Sequence, residues 1–167
     1  MRIALTGTPG TGKTTIARLL PYRIIDINAL VKAGLNFGVD PERGCLEADM
    51  DGLEKRLLEI DSDEICILEG HFSHHFADRA IVLRLAPSAL RQRLEARGYL
   101  PQKVNENLEA EALDVILVES VEMCRHVDEI DTTRKTVEEV AALVCKIING
   151  ELDLPPGQVD WLADFFA

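Results

Sequence analysis

The sequence predicts an α/β fold, a parallel sheet flanked by helices, and three observations carry that reading. Apolar runs of strand length alternate with stretches of helical period, the pattern of strands joined by helical crossovers. A glycine-rich loop of the form GxxxxGK[ST] stands between the first apolar run and the first helical stretch. A chain of 167 residues that is 47% hydrophobic suffices for one domain with a real core.

Taken in order, the candidate strands are residues 2–6, 22–26, 65–69, 80–85 and 127–131. The first helix spans 13–20 and stops at Pro21, which cannot continue it. Asp49 is placed to cap a helix reaching Ile60, with Met50, Leu53 and Leu57 on one face. Pro87 suits the first turn of a helix running to Arg97. Val104, Leu108, Ala112 and Val115 mark one long helix to about Arg125. Thr136 and Glu139 form a capping-box pattern ahead of a last helix ending near Gly150. Residues 33–48 read as irregular, and 98–102 as a break between helices. Loops of that kind over a rigid sheet are where substrate contacts sit. The tail, 151–167, is acidic and carries Trp161, Leu162, Phe165 and Phe166. It is expected to pack on the core, a partner-binding aromatic patch being the alternative.

Charge and cysteine content narrow the function. The chain holds 29 acidic and 18 basic side chains, a net charge of −11. That argues against a general nucleic-acid binder, which needs clustered Lys and Arg, and would suit a basic protein partner. The four cysteines are far apart with no CxxC pair, so they read as reduced thiols rather than a zinc site or disulfide frame. The opening apolar run is too short for a signal peptide and no stretch approaches membrane-spanning length. A soluble cytoplasmic protein is therefore expected, with no membrane partner.

The chemistry centres on Gly7-Thr8-Pro9-Gly10-Thr11-Gly12-Lys13-Thr14. Gly10 and Gly12 let backbone N–H groups curl around phosphate oxygens at a helix N-terminus. Lys13 reaches the β- and γ-phosphates of ATP, and the Thr14 hydroxyl holds magnesium. A carboxylate closing a neighbouring strand should hold the magnesium water shell, and Glu69 supplies it, followed by Gly70 and His71. His71, His74 and His75 lack a fourth matched metal ligand, so a metal cluster is not expected there. Arg84, Arg91, Arg93 and Arg97 are a large share of the basic inventory, and the last three flank the 98–102 break. They are candidates for neutralising transferring phosphoryl oxygens, or else a solvated basic face. A DxxG match at Asp49–Gly52 opens a helix rather than following a strand, and no NKxD motif exists, which argues against a GTPase.

Further blocks complete the pattern: Leu68-Glu69-Gly70-His71-Phe72-Ser73-His74, Arg97-Gly98-Tyr99, Lys103-Val104, Glu106-Asn107, Glu109-Ala110-Glu111 and Glu129-Ile130-Asp131-Thr132-Thr133. In order and spacing the chain resembles the atypical adenylate kinases related to the coilin-interacting nuclear ATPase and its archaeal relatives. The resemblance runs from Met1 to about Ile148. It implies a P-loop nucleoside monophosphate (NMP) kinase fold over 1–150 with a five-stranded sheet, an NMP-binding insertion at about 28–49 and a lid at about 97–107. It implies ATP contacts at Gly10, Gly12, Lys13, Thr14, Thr15, Arg93 and Arg97, and a catalytic group of Lys13, Glu69, His71 and Arg97. Magnesium would lie on Thr14 and, through water, Glu69. The NMP-gripping arginine falls on Lys32, a point charge rather than a bidentate fork, so Arg43 or Arg79 is an alternative. The resemblance further implies broad NMP kinase activity with ATP hydrolysis, and transient holding of a basic ribosomal protein during late maturation of the small ribosomal subunit. An ATP-driven assembly switch with incidental kinase activity is the second reading.

Overall fold

The computed structural model describes residues 1–42, 44–60 and 64–166. Its five predicted strands form one parallel sheet in the order β2 (Arg23–Asp26), β5 (Cys66–Glu69), β1 (Arg2–Thr6), β6 (Arg79–Arg84), β7 (His126–Asp131). Side chains alternate across each strand, so one run of apolar residues feeds two cores. Ile3 and Leu5 of β1, with Ile81 and Leu83 of β6, face α1 (Lys13–Ala17) and α7 (Val137–Ile148), where Ile16, Val140, Val144 and Ile147 are buried. Ala4, Ala80 and Val82 point the other way, toward Leu117 of α6 (Val115–Met123). Further along that face Leu68 meets Ile27 of α2 (Ile27–Lys32) and Leu53 and Leu57 of α3 (Met50–Glu59). Each such aliphatic side chain withdrawn from water contributes about 1.5–3 kcal/mol.

Helix ends follow the sequence signals. Asp49 accepts from the Gly52 N–H at 2.9 Å to open α3, and Pro87 begins α4 (Pro87–Ala96). The Thr136–Glu139 capping box is fully formed. Three elements differ from expectation. The long helix from Val104 is two, α5 (Pro101–Ala112) and α6, because Asp114 adopts a left-handed conformation at φ 57 and breaks the ladder. The irregular stretch, 33–48, holds an antiparallel hairpin of β3 (Asn36–Val39) and β4 (Leu46–Ala48), and just before it residues 27–32 form α2, capped by Asp26, for which no helix was expected. The tail carries a short helix, α8 (Leu162–Phe166). It packs on the body, as expected: Glu129 N–H donates to Leu154 C=O at 2.8 Å, and Phe165 joins Leu90, Leu94, Val104 and Leu108 between α4 and α5.

Strand register brings the site together. Asp26, Glu69 and Leu5 sit side by side at the carboxyl ends of β2, β5 and β1. The phosphate loop leaves β1 at the same edge, where parallel sheets bind ligands.

Candidate active site

The loop is pinned on two sides. Gly7 has φ 138, and a Cβ there would lie 2.4 Å from the Leu83 carbonyl oxygen of β6. Gly10 has φ 100, and its Cβ would lie 2.7 Å from Leu90 Cδ1 of α4. Both positions therefore require glycine for backbone conformation and for space. The curl that results directs the Lys13 ammonium inward, where it donates to Gly7 C=O at 2.7 Å and Thr8 C=O at 3.0 Å. Burial lowers the Lys13 pKa to about 8, against the pull of the Glu69 and Glu111 carboxylates and with a smaller push from Arg97.

Next to it, the Thr14 hydroxyl donates to Glu69 Oε1 at 3.3 Å. Burial raises the Glu69 pKa; Lys13 opposes the rise, Asp26 adds to it, and the Thr14 hydrogen bond opposes it. A hydroxyl and a carboxylate oxygen side by side are hard donors of the kind magnesium takes, so Thr14 and Glu69 fit that ion. His71, two residues on, has its pKa lowered to about 4, by burial first and then by Lys13, His74 and Lys103. The ring is thus neutral at pH 7, edge-on to Phe72 at 4.7 Å, and its carbonyl accepts from Thr6 at 3.2 Å.

A cavity of about 610 Å³ opens over the loop. Gly10, Gly12, Lys13, Thr14 and Thr15 form one wall, and Glu69, His71, Lys32 and Arg97 close others. A smaller space of about 220 Å³ shares Gly12, Thr15 and Arg97 and adds Arg93, Thr132, Lys135 and Thr136. Arg93 is fixed there by donating to Gly10 C=O at 3.2 Å. A larger depression of about 840 Å³ lies at the opposite sheet edge, around Met1, His75 and Arg79. It is the amide-lined loop, not volume, that equips a site for phosphate, and the loop is at the smaller cavity.

Not every expected residue converges. Arg79 opens β6 at that opposite edge, where it donates to Ile147 C=O at 2.7 Å and lies 3.6 Å from Asp128. It is a tie between strand and helix and does not reach the cavity, which corrects its reading as an NMP ligand. Arg43 lies outside the described residues. Arg84 is buried against Glu111, Asp114 and Glu129, and exposed Arg91 meets Asn105 at 3.3 Å. Conversely, the cavity includes Asn28, Cys45, Tyr99, Lys103 and Asn107, to which no individual role was given. Lys103 and Asn107 are four apart on α5 and so share a face, a signal the sequence did contain.

A family model described as "AAA domain" matches residues 3–114. The chain is 45% identical to the "Putative adenylate kinase" of Methanosarcina barkeri, over 97% of this chain and 98% of the relative. It is 46% identical to the protein of the same description in Methanothermobacter thermautotrophicus, over 95% and 96%. In fold it resembles the shikimate kinase of Acinetobacter baumannii solved with shikimate, at TM-score 0.58 and 19% identity over 89% of this chain and 93% of that one.

Proposed function

Because the chain belongs to the AAA-domain family matched by residues 3–114, and with it to the archaeal adenylate kinase-type relatives, we propose that it is an ATP:NMP phosphotransferase. The observation that carries this is the single cavity that faces Lys13 and Thr14 on one wall with Lys32 and Lys103 on others. Two phosphate-bearing ligands need cations on two sides of one space, and that is the arrangement of these side chains. The donor end of ATP would lie along the loop amides and Lys13, with its base toward Arg93 and Thr132. Lys32 would grip the monophosphate. An oxygen of that monophosphate attacks the γ-phosphorus while the bond to the bridging β-oxygen breaks, releasing ADP and forming a second diphosphate. Such transfer calls for positioning and charge neutralisation, which Lys13 and Arg97 supply as fixed and approaching cations. Magnesium, when held by Thr14 and Glu69, would neutralise the β- and γ-oxygens.

Intrinsic ATP hydrolysis belongs to the same reading, with water replacing the acceptor. For a role in small-subunit maturation through a basic ribosomal protein, the net charge of −11 is the supporting property. Product analysis separates these activities. ATP with AMP is expected to give ADP at a rate well above that of ATP alone, and an AMP-independent rate would favour the assembly-switch reading.

A further inference from the structure

The Glu109-Ala110-Glu111 block lies outside the chemistry just described, yet Glu111 is buried and fully engaged. Its Oε2 accepts from the Thr8 hydroxyl at 2.5 Å. Its Oε1 accepts from Arg84 Nε at 2.9 Å and from the Leu85 N–H at 3.0 Å. Arg84 is held in turn: Nη1 donates to Glu129 at 2.6 Å, and Nη2 donates to the Glu111 carbonyl at 3.0 Å and to Asp114. The remaining Glu129 oxygen accepts from the Gly157 and Gln158 N–H groups of the tail, each at 2.9 Å. A continuous chain of hydrogen bonds thus runs from the tail, through β7, β6 and α5, into the phosphate loop.

Thr8 is where that chain matters. Its carbonyl receives the Lys13 ammonium, the Thr11 N–H at 3.2 Å and the Thr11 hydroxyl at 2.9 Å. Three donors that shape the loop therefore converge on one residue, and Glu111 anchors that residue by its side chain.

We propose that Glu111 is a positioning residue for the ATP side of the site, acting through the Thr8 hydroxyl to pre-form the phosphate loop. The inference deepens the phosphotransferase reading and rests on it for its kinetic arm alone. An anchored loop presents its amides without first paying to order them, so nucleotide affinity is the property that depends on the contact. On the monophosphate side, Lys32 is carried by α2, and Lys103 lies about two turns before Glu111 on α5, so that side is linked to the contact through α5 alone.

The test uses the full chain with Mg-ADP as probe in isothermal titration, alongside melting temperatures and steady-state kinetics. Thr8→Val keeps the shape and removes the hydroxyl, and is expected to weaken Mg-ADP binding about tenfold, as loss of a charge-assisted hydrogen bond implies. Thr8→Ser restores the donor and should recover most of that loss. Glu111→Gln should weaken binding in the same direction. In turnover the KM for ATP should rise by more than the KM for AMP. A purely structural role would lower the melting temperature and leave the two KM values in proportion. Mg-ADP affinity of Thr8→Val within twofold of wild type, or equal losses for Thr8→Ser and Thr8→Val, would overturn the inference. If Thr8→Val does not fold, the Glu111→Gln titration decides in its place. Failure of wild type to phosphorylate AMP would count against the phosphotransferase reading and leave the Mg-ADP arm intact.

Discussion

Lys13 shows how one buried charge sets the conditions under which the site can work. Its pKa of about 8 follows from burial, so the free protein holds the ammonium that phosphate requires less firmly than an exposed lysine would. As pH rises through about 8 the free protein loses that proton, whereas bound phosphate would keep it. Mg-ADP affinity should therefore fall toward a tenfold loss per unit above pH 8, with proton uptake on binding seen by titration in two buffers. Lys13→Ala should abolish that slope and lower kcat by about a hundredfold or more. The linkage to stability has the opposite sense. Unfolded chains keep the lysine proton up to its ordinary value of 10.5, so the cost of burying it is full below pH 8 and relieved between 8 and 10.5. His71 presents a second case, a ring already neutral at pH 7. It is suited to place a water by hydrogen bonding and not to donate a proton. His71→Ala should lower hydrolysis of ATP alone more than AMP-dependent ADP formation, by a ratio that does not vary between about pH 6 and 7.5. An equal loss in both assays, at an unchanged melting temperature, would refute the water-placing role.

Among the elements, those whose cause lies within a few neighbouring residues were legible in advance. The capping box of α7 is one: Thr136 accepts from Glu139 N–H at 3.2 Å and Glu139 returns the bond at 2.8 Å. Thr136→Ala should cost about 1 kcal/mol in denaturant unfolding. Asp49, Pro87 and the loop glycines were legible for the same local reason. The break between α5 and α6 was not, because Asp114 is a poor left-handed residue by itself, and its partner Arg84 lies 30 residues away. Arg79 was misplaced for no such reason. In a parallel sheet the residue that opens a strand lies at the edge opposite the loop, so its position was legible from chain direction, and register bears it out. The hairpin escaped notice because its strands are four and three residues long and largely exposed, too short for the alternation of Phe37 with Val39 and of Leu46 with Ala48 to stand out.

At the scale of the molecule the site has two sides carried by separate pieces. The hairpin of β3 and β4 is a two-stranded sheet apart from the five-stranded one, and Phe37 on it is 70% exposed. Opposite, Arg97 to Leu100 link α4 to α5, and Leu100 is 75% exposed. Between them an open cleft of about 730 Å³ runs from Cys45 to Tyr99 and Lys103, residues that also line the phosphate cavity. Apolar surface left in water along that cleft, such as that of Leu100, gains by being covered, about 25 cal/mol for each Å². Ligands bridging the cleft would supply the remaining drive, since under the proposed function Lys32 and Arg97, which line one cavity, would grip one chain of phosphates from two sides. An analogue of two adenosines joined by five phosphates should therefore lower the radius of gyration in X-ray scattering, from the roughly 15 Å expected for a chain of this length. ADP alone, engaging one side, should produce a smaller change. If, as proposed, the Arg97 guanidinium reaches the transferring group on closure, Arg97→Ala should lower kcat more than it weakens Mg-ADP binding. Equal scattering curves with and without the two-headed analogue, at saturation confirmed by titration, would mean that the site works open and that Arg97 acts from where it already stands.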